Sequence, residues 1–266
     1  KYNYSLKKVP LAFDNLPAAF KGLKIIHISD IHSGSFTDKK AVHHGIDKIL
    51  KENADLILFT GDLVNDRATE MEEFMELFSR LKAPMGVYSI FGNHDYGDYV
   101  RWPYNGISRE QNLDNLTQVH ANMGWRLLMN EHVVLEKEGE QIALLGIENW
   151  SSKARFPKHG RMDLAHPGAE KYPFKMLMSH DPSHWDAEVK TKYATAPATE
   201  QITVPTPNHP ATNTTINSTM TRTIIWRSSS VMSCPLSAAN SRYLANNPNN
   251  CSRIDILLML APLYLI

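Results

Sequence analysis

Residues 23–32, LKIIHISDIH, run from an apolar stretch directly into two residue types that bind metals. Leu23 to Ser29 is short and isoleucine-rich, the composition of a strand buried on both faces. Asp30 and His32 follow it, two apart, and extended backbone would point both side chains the same way. The same grammar recurs downstream. Ala54 to Thr60 (ADLILFT) ends in Gly61-Asp62, Met85 to Phe91 (MGVYSIF) ends in Gly92-Asn93-His94-Asp95, and Phe174 to Met178 (FKMLM) ends in Ser179-His180-Asp181.

Helical patterns separate the first three strands. Asp38 to Glu52 has Asp38 as an N-cap and Val42, Ile46, Ile49 and Leu50 on one face. Thr69 to Leu81 carries a stripe of Met71, Phe74, Met75 and Phe78 and is closed by Pro84. Strand, helix, strand, helix, strand at this spacing predicts right-handed crossovers and a parallel sheet. Ligands of such a sheet gather at the carboxyl ends of its strands, so the four clusters are expected to converge. Further on, Tyr96 to Asn105 reads as a loop and Ser108 to Met123 as a helix. Trp125 to Trp150 reads as a hairpin turning at Glu138-Gly139, and Asp181-Pro182 opens a helix reaching about Tyr193.

Oxygen and imidazole donors without thiolate suit Mn, Fe or Zn. The ordered set D-x-H, G-D, G-N-H-D, then H, over about residues 23–192, resembles the calcineurin-like metallophosphoesterases, among them bacterial enzymes of the cell envelope. The resemblance implies an αββα sandwich of two mixed sheets flanked by helices, with an aberrant C-terminal part. It also implies two divalent metal ions holding a bridging hydroxide that hydrolyses a phosphomonoester, phosphodiester or pyrophosphate. Carried over by position, Asp30 and His32 bind one metal, Asp62 bridges, Asn93 and His180 bind the other, and His94 is the catalytic acid or phosphate clamp. The purple acid phosphatases, a related group, place tyrosine three residues after the bridging aspartate, where this chain has Asn65. The family closes its site with Gly-His-x-His, one histidine per metal. Here His184 and His209 are the histidines after His180, and neither has that context. The alternative is therefore a catalytically impaired protein that binds metal or a phosphate ligand.

His27 reads as a core histidine, His43 and His44 as exposed helix residues, and His184 as a cap or packing partner near Trp185. No G-x-G-x-x-G follows the first strand, which argues against a dinucleotide binder. The 266 residues carry 28 basic and 28 acidic side chains, a balance giving no signal for nucleic acid. The expected partner is a small-molecule or lipid-linked phosphoester. Cys234 and Cys251 form neither a metal spacing nor a disulfide framework. The apolar run Ile256–Ile266 is too short to span a membrane. The chain starts at Lys1, so it reads as a fragment, cytoplasmic or membrane-associated according to what precedes it.

Beyond Tyr193 the composition changes. No lysine or glycine occurs, and Glu200 and Asp255 are the acids. Average usage of about 7% would give roughly five glycines there. The division expected is a metallophosphoesterase domain over 1–192 and an atypical tail over 193–266, frameshifted or poorly folded.

Overall fold

The computed structural model describes residues 4–154 and 156–193, together with the backbone of three later strands at 201–202, 252–259 and 263–265. In chain order the elements are β1 (Lys7–Phe13), β2 (Leu23–Ile28), α1 (Lys39–Leu50), β3 (Leu56–Phe59), α2 (Met75–Phe78), β4 (Val87–Ser89), α3 (Arg109–Met123), β5 (Arg126–Leu127), β6 (Glu131–Lys137), β7 (Glu140–Gly146), α4 (Met162–Ala165), β8 (Lys175–Met178), α5 (Lys190–Lys192), β9 (Gln201–Ile202), β10 (Ser252–Met259) and β11 (Leu263–Leu265).

Two sheets result, ordered β1-β10-β2-β3-β4-β5 and β6-β7-β8-β11-β9. In the first, β10, β2, β3, β4 and β5 run parallel and β1 is antiparallel. In the second, β6/β7 is antiparallel, β7/β8 is parallel, and β11 runs antiparallel to both its neighbours. The layers explain why the central strands are apolar at most positions. Ile25, Leu56 and Leu58 meet Ile142, Leu144, Met176 and Met178 between the sheets. The alternate residues Ile26, Ile57 and Phe59 pack outward under Val42, Ile46 and Ile49 of α1 and Phe78 of α2. On the far side Ala143, Leu145 and Leu177 lie under Met162, Trp185 and Val189. The fold is an α/β sandwich with helices on both outer faces.

Local chemistry sets the ends of the elements. The Asp38 carboxylate accepts from the Ala41 N–H at 3.0 Å and caps α1. Ser108 and Gln111 form a capping box on α3, and Gly124, at φ 76°, ends it. Glu138 and Gly139, at φ 52° and 82°, make the two-residue turn between β6 and β7.

The helix expected over 69–81 is broken. A 3-10 turn, Ala68–Met71, precedes the short α2. The cause lies upstream: the Glu70 carboxylate turns back to accept from the N–H groups of Asn65, Asp66 and Arg67. Asn112 of α3 also holds Ala68 N–H and Asp66 C=O. The entry is thus tied to neighbouring loops, while Met71, Phe74 and Phe78 still bury as one stripe.

His27 and His120 are fully buried. His27 Nε2 pairs with Thr60 Oγ1 at 2.8 Å, whereas neither ring nitrogen of His120 has a partner among the described residues. Burial holds both imidazoles down at about 3. Above the unfolded value near 6.5 these groups are neutral in both states. Below it only the unfolded chain takes the proton, so each costs about 1.4 kcal/mol of stability per pH unit as pH falls toward the folded value. His120→Phe keeps the ring among Phe59, Phe91 and Trp125. Denaturant unfolding of both proteins from pH 6 to 4.5 is expected to show the variant's stability falling less steeply by about that amount per unit. Taking the difference cancels the titration of the carboxylates. Parallel profiles would contradict a neutral His120.

Candidate metal centre

The loops after β2 and β3 are laced together by backbone hydrogen bonds. Asp30 N–H donates to Gly61 C=O at 2.9 Å, His32 N–H to Asp62 C=O at 3.0 Å, and Ser33 N–H to Leu63 C=O at 3.0 Å. Asp30, His32 and Asp62 all sit in the left-handed region, at φ 52°, 46° and 60°. Such backbone costs a non-glycine residue roughly 1–3 kcal/mol and persists because its surroundings hold it. Asp30 and His32 thus meet through a left-handed turn, not through the extended backbone expected. Gly92 lets the loop after β4 close on them. A Cβ at residue 92 would collide with Asp62 Oδ1, lie 2.6 Å from Asp62 N and 2.8 Å from His180 Cε1.

Five of the six singled-out side chains come together here. Asp62 Oδ2 lies 3.4 Å from His32 Nε2 and 3.4 Å from His180 Nε2, and Asp30 Oδ1 lies 3.9 Å from His32 Nε2. Two sets have donor atoms within 4.8 Å of one another, namely His32, Asp62 and His94, and Asp30, Asp62 and His180. Asp62 belongs to both. The carry-over by position grouped Asp30 with His32 and set His94 apart, whereas the geometry puts the His94 ring edge-on to His32 at 4.7 Å. Asn93 stands beside the cluster, its Nδ2 donating to Tyr99 Oη at 2.7 Å. The next residue, His94, donates its N–H to Asp62 Oδ1 at 2.9 Å.

Hydrogen bonds orient the rings. His180 Nδ1 donates to Thr60 C=O at 2.8 Å and His94 Nδ1 to Asn65 C=O at 2.7 Å. A carbonyl can only accept, so each Nδ1 carries the proton and each Nε2 is left to face the cluster. Ser29 Oγ donates to Asp30 Oδ2 at 2.6 Å.

Burial raises the Asp62 carboxyl, but His180 and His32 outweigh it and hold the group below the usual carboxylate range. Burial lifts Asp30 upward with no such reversal. Burial also lowers His180, yet Asp62 and Asp30 pull its imidazole up to about 10. The buried Asp62 carboxylate and the half-buried Asp30 carboxylate therefore call for positive charge, which a proton on His180 provides. A divalent cation would supply the same charge and displace that proton. Two carboxylates and three imidazoles form an oxygen and nitrogen donor set that fits divalent Mn, Fe or Zn.

Two carboxylates beneath the site escaped the sequence reading. The buried Asp95 accepts from the N–H groups of Asp62, Leu63 and Gly92, each at 2.8 Å, so one side chain fixes both loops. Glu70 does the same for the loop at 65–67. Asp95 stands in the G-N-H-D stretch, but nothing local says that two of its partners are the backbone groups of Asp62 and Leu63, 33 and 32 residues upstream. His184 bonds Glu188 at 3.0 Å and Ser179 Oγ at 3.4 Å and packs on Trp150, which keeps it structural. Asp95→Ala would orphan three buried N–H groups at about 1–3 kcal/mol each. It is expected to lower the melting temperature by at least about 10 °C. Asp95→Asn, keeping one acceptor oxygen, should recover part of that loss. Equal melting of Asp95→Ala and the parent would remove this role.

A carboxylate shared by two ligand sets, at the carboxyl ends of strands from two stacked sheets, defines a dinuclear metallohydrolase site. The chain belongs to the calcineurin-like phosphoesterase family, whose model matches residues 23–205. It is 27% identical over 172 residues to the metallophosphoesterase YkoQ of Bacillus subtilis, covering 64% of this chain and 57% of that protein. It is 25% identical over 181 residues to a transmembrane protein with a metallophosphoesterase domain from Danio rerio, covering 65% and 38%. It is 36% identical over 96 residues to the UDP-2,3-diacylglucosamine pyrophosphatase LpxG of Chlamydia trachomatis, covering 35% and 29%. The chain thus spans well under two thirds of these relatives' lengths. Among solved structures, the NAD nucleotidase of Haemophilus influenzae matches with a TM-score of 0.41 at 16% identity, covering 69% of this chain and 36% of that one. Among the described residues, no helix is long and apolar enough to cross a membrane.

Proposed function

We propose that this chain hydrolyses phosphate esters with two divalent metal ions, and that residues 1–192 carry the machinery. The observation that supports this best is Asp62, equidistant at 3.4 Å from the Nε2 atoms of His32 and His180. Bound ions would supply charge to offset the phosphoryl oxygens and would activate a water for in-line attack. Asp62 would be shared by both ions, with Asp30 and His32 helping to hold one and Asn93 and His180 the other, as the family resemblance assigns them. His94, fixed through its Nδ1–H by the Asn65 carbonyl, would present Nε2 to the substrate and, when that nitrogen is protonated as well, would give its proton to the leaving oxygen. A small-molecule or lipid-linked substrate suits this scheme equally. One relative is named as a UDP-2,3-diacylglucosamine pyrophosphatase and another as a transmembrane protein with a metallophosphoesterase domain.

The second reading is a binding protein with impaired turnover. Its support is the missing Gly-His-x-His: no glycine follows Gly168, and His209 lies outside the described residues. Metal analysis with a bis(4-nitrophenyl) phosphate assay across Mn, Zn, Fe and Mg separates the two. Metal bound with turnover supports hydrolysis, and metal bound without it supports the binding protein. Because His94 is assigned to the substrate, His94→Asn is expected to lower turnover by about 10²-fold or more with metal content retained. Loss of metal in step with turnover would instead make His94 a ligand, as its place beside His32 and Asp62 allows.

A further inference from the structure

Next to the metal residues lies a cleft of about 220 Å³ to which the chemistry above assigns no part. Asn93 and Tyr99 line it on the metal side, and the Tyr99 ring lies 4.4 Å from that of His94. A group leaving from phosphorus beside His94 therefore has this cleft within reach. Its remaining wall is mostly flat and uncharged. Tyr96 and His159 are stacked at 4.1 Å with their planes 12° apart, and Tyr96 Oη is anchored by Glu148 at 2.9 Å. Phe156 and Pro157 add apolar surface. Asp98 also lines the cleft, and its carboxylate is paired with Arg109. No lysine or arginine is among the described residues of the wall. Asn149, 2% exposed, contributes an amide whose Oδ1 has no hydrogen-bond partner among the described residues. A buried acceptor left unpaired is costly, and a ligand N–H or O–H would relieve that cost once the solvent-closed Oδ1 turns toward the cleft.

We propose that this cleft is the leaving-group subsite and takes a flat, uncharged aromatic ring bearing a hydrogen-bond donor. The inference rests on the phosphoesterase reading and deepens it. A cavity of about 150 Å³ suffices for benzene, so one ring fits. A second phosphate would meet no lysine or arginine among the described residues of the wall, and the Asp98 carboxylate, though paired with Arg109, would lie beside it. In the reaction the water oxygen bonds to phosphorus and the ester P–O bond breaks. The ring-bearing oxygen leaves with the electron pair of that bond and takes the Nε2 proton of His94, while the proton lost by the attacking water goes to solvent, from which Nε2 is reprotonated.

Non-hydrolysable phosphonates test this without turnover. Calorimetric titration of the full chain in Mn²⁺ is expected to show phenylphosphonate binding about tenfold tighter than methylphosphonate. 4-Aminophenylphosphonate should bind tighter still. Phe156→Ala should bring the phenyl-to-methyl ratio down toward one, and Asn149→Leu should remove the increment from the amino group. Equal binding of phenyl and methyl phosphonates would overturn the subsite and leave the phosphoesterase reading standing. So would a ratio that survives Phe156→Ala. If neither phosphonate binds in a metal-dependent way, both the subsite and the phosphoesterase reading fail.

Discussion

Asp62→Ala is expected to remove both metal ions at once. Its carboxylate is the one group that the two ligand sets share, and its Oδ1 also ties down His94. Even partners that only orient a metal ligand are worth about 10–100-fold in metal affinity. Loss of a shared ligand should therefore weaken both ions by at least about 100-fold. Thermal melts give the readout. A ligand at 100 times its Kd stabilises the native state by about 2.7 kcal/mol, so Mn²⁺ should raise the melting temperature of the parent and leave that of Asp62→Ala unmoved. A variant that loses only half of the Mn²⁺ response would show that the two sets bind independently.

The second large effect concerns the segment after Tyr193, which we propose is not the family's own sequence beyond residue 205, where the family match ends. A version carrying Gly-His-x-His there is expected to exceed this chain in metal-dependent phosphodiester hydrolysis by at least about 10²-fold. Three protein ligands can hold a catalytic ion, so metal binding is expected to survive in the present chain. Small misplacements of a nucleophile nevertheless cost about that factor in rate. The comparison is made side by side in saturating Mn²⁺. Equal turnover would mean that the absent histidines are dispensable or replaced, with His209 the first to examine. Translating the coding DNA in its other two frames checks the origin independently. A Gly-His-x-His close beyond the helix that ends near Tyr193 is expected in one of them, and none in either frame would refute the frameshift. The strands at 252–259 and 263–265 join the two sheets, while most of the segment between Tyr193 and Ser252 lies outside the described residues.

Much of the fold is legible because its signals are local. Asp38 and Ser108 announce helix starts, Glu138-Gly139 announces a hairpin, and the central strands are short apolar runs ending in Asp, Asn or His. Those ends also carry the site, since parallel strands deliver their carboxyl termini to one edge. What escaped depends on partners far along the chain. The left-handed backbone of Asp30, His32 and Asp62 is set by bonds between two loops. Asp95 and Glu70 look like ordinary acidic residues until their backbone donors are known. The stripe at 69–81 has a helical period, but Glu70 and Asn112 capture its first turn for other loops. The Asn149 Oδ1, unpartnered among the described residues, has no signature in sequence, because what distinguishes it is the bond that it lacks.

The most direct test of a two-ion centre is an EPR-monitored Mn²⁺ titration of the full chain. Paired ions on a shared Asp62 predict two Mn²⁺ bound per chain with spectra showing exchange coupling between them. One bound ion, or two with the uncoupled six-line spectrum of isolated Mn²⁺, would contradict the shared carboxylate on which the proposed chemistry depends.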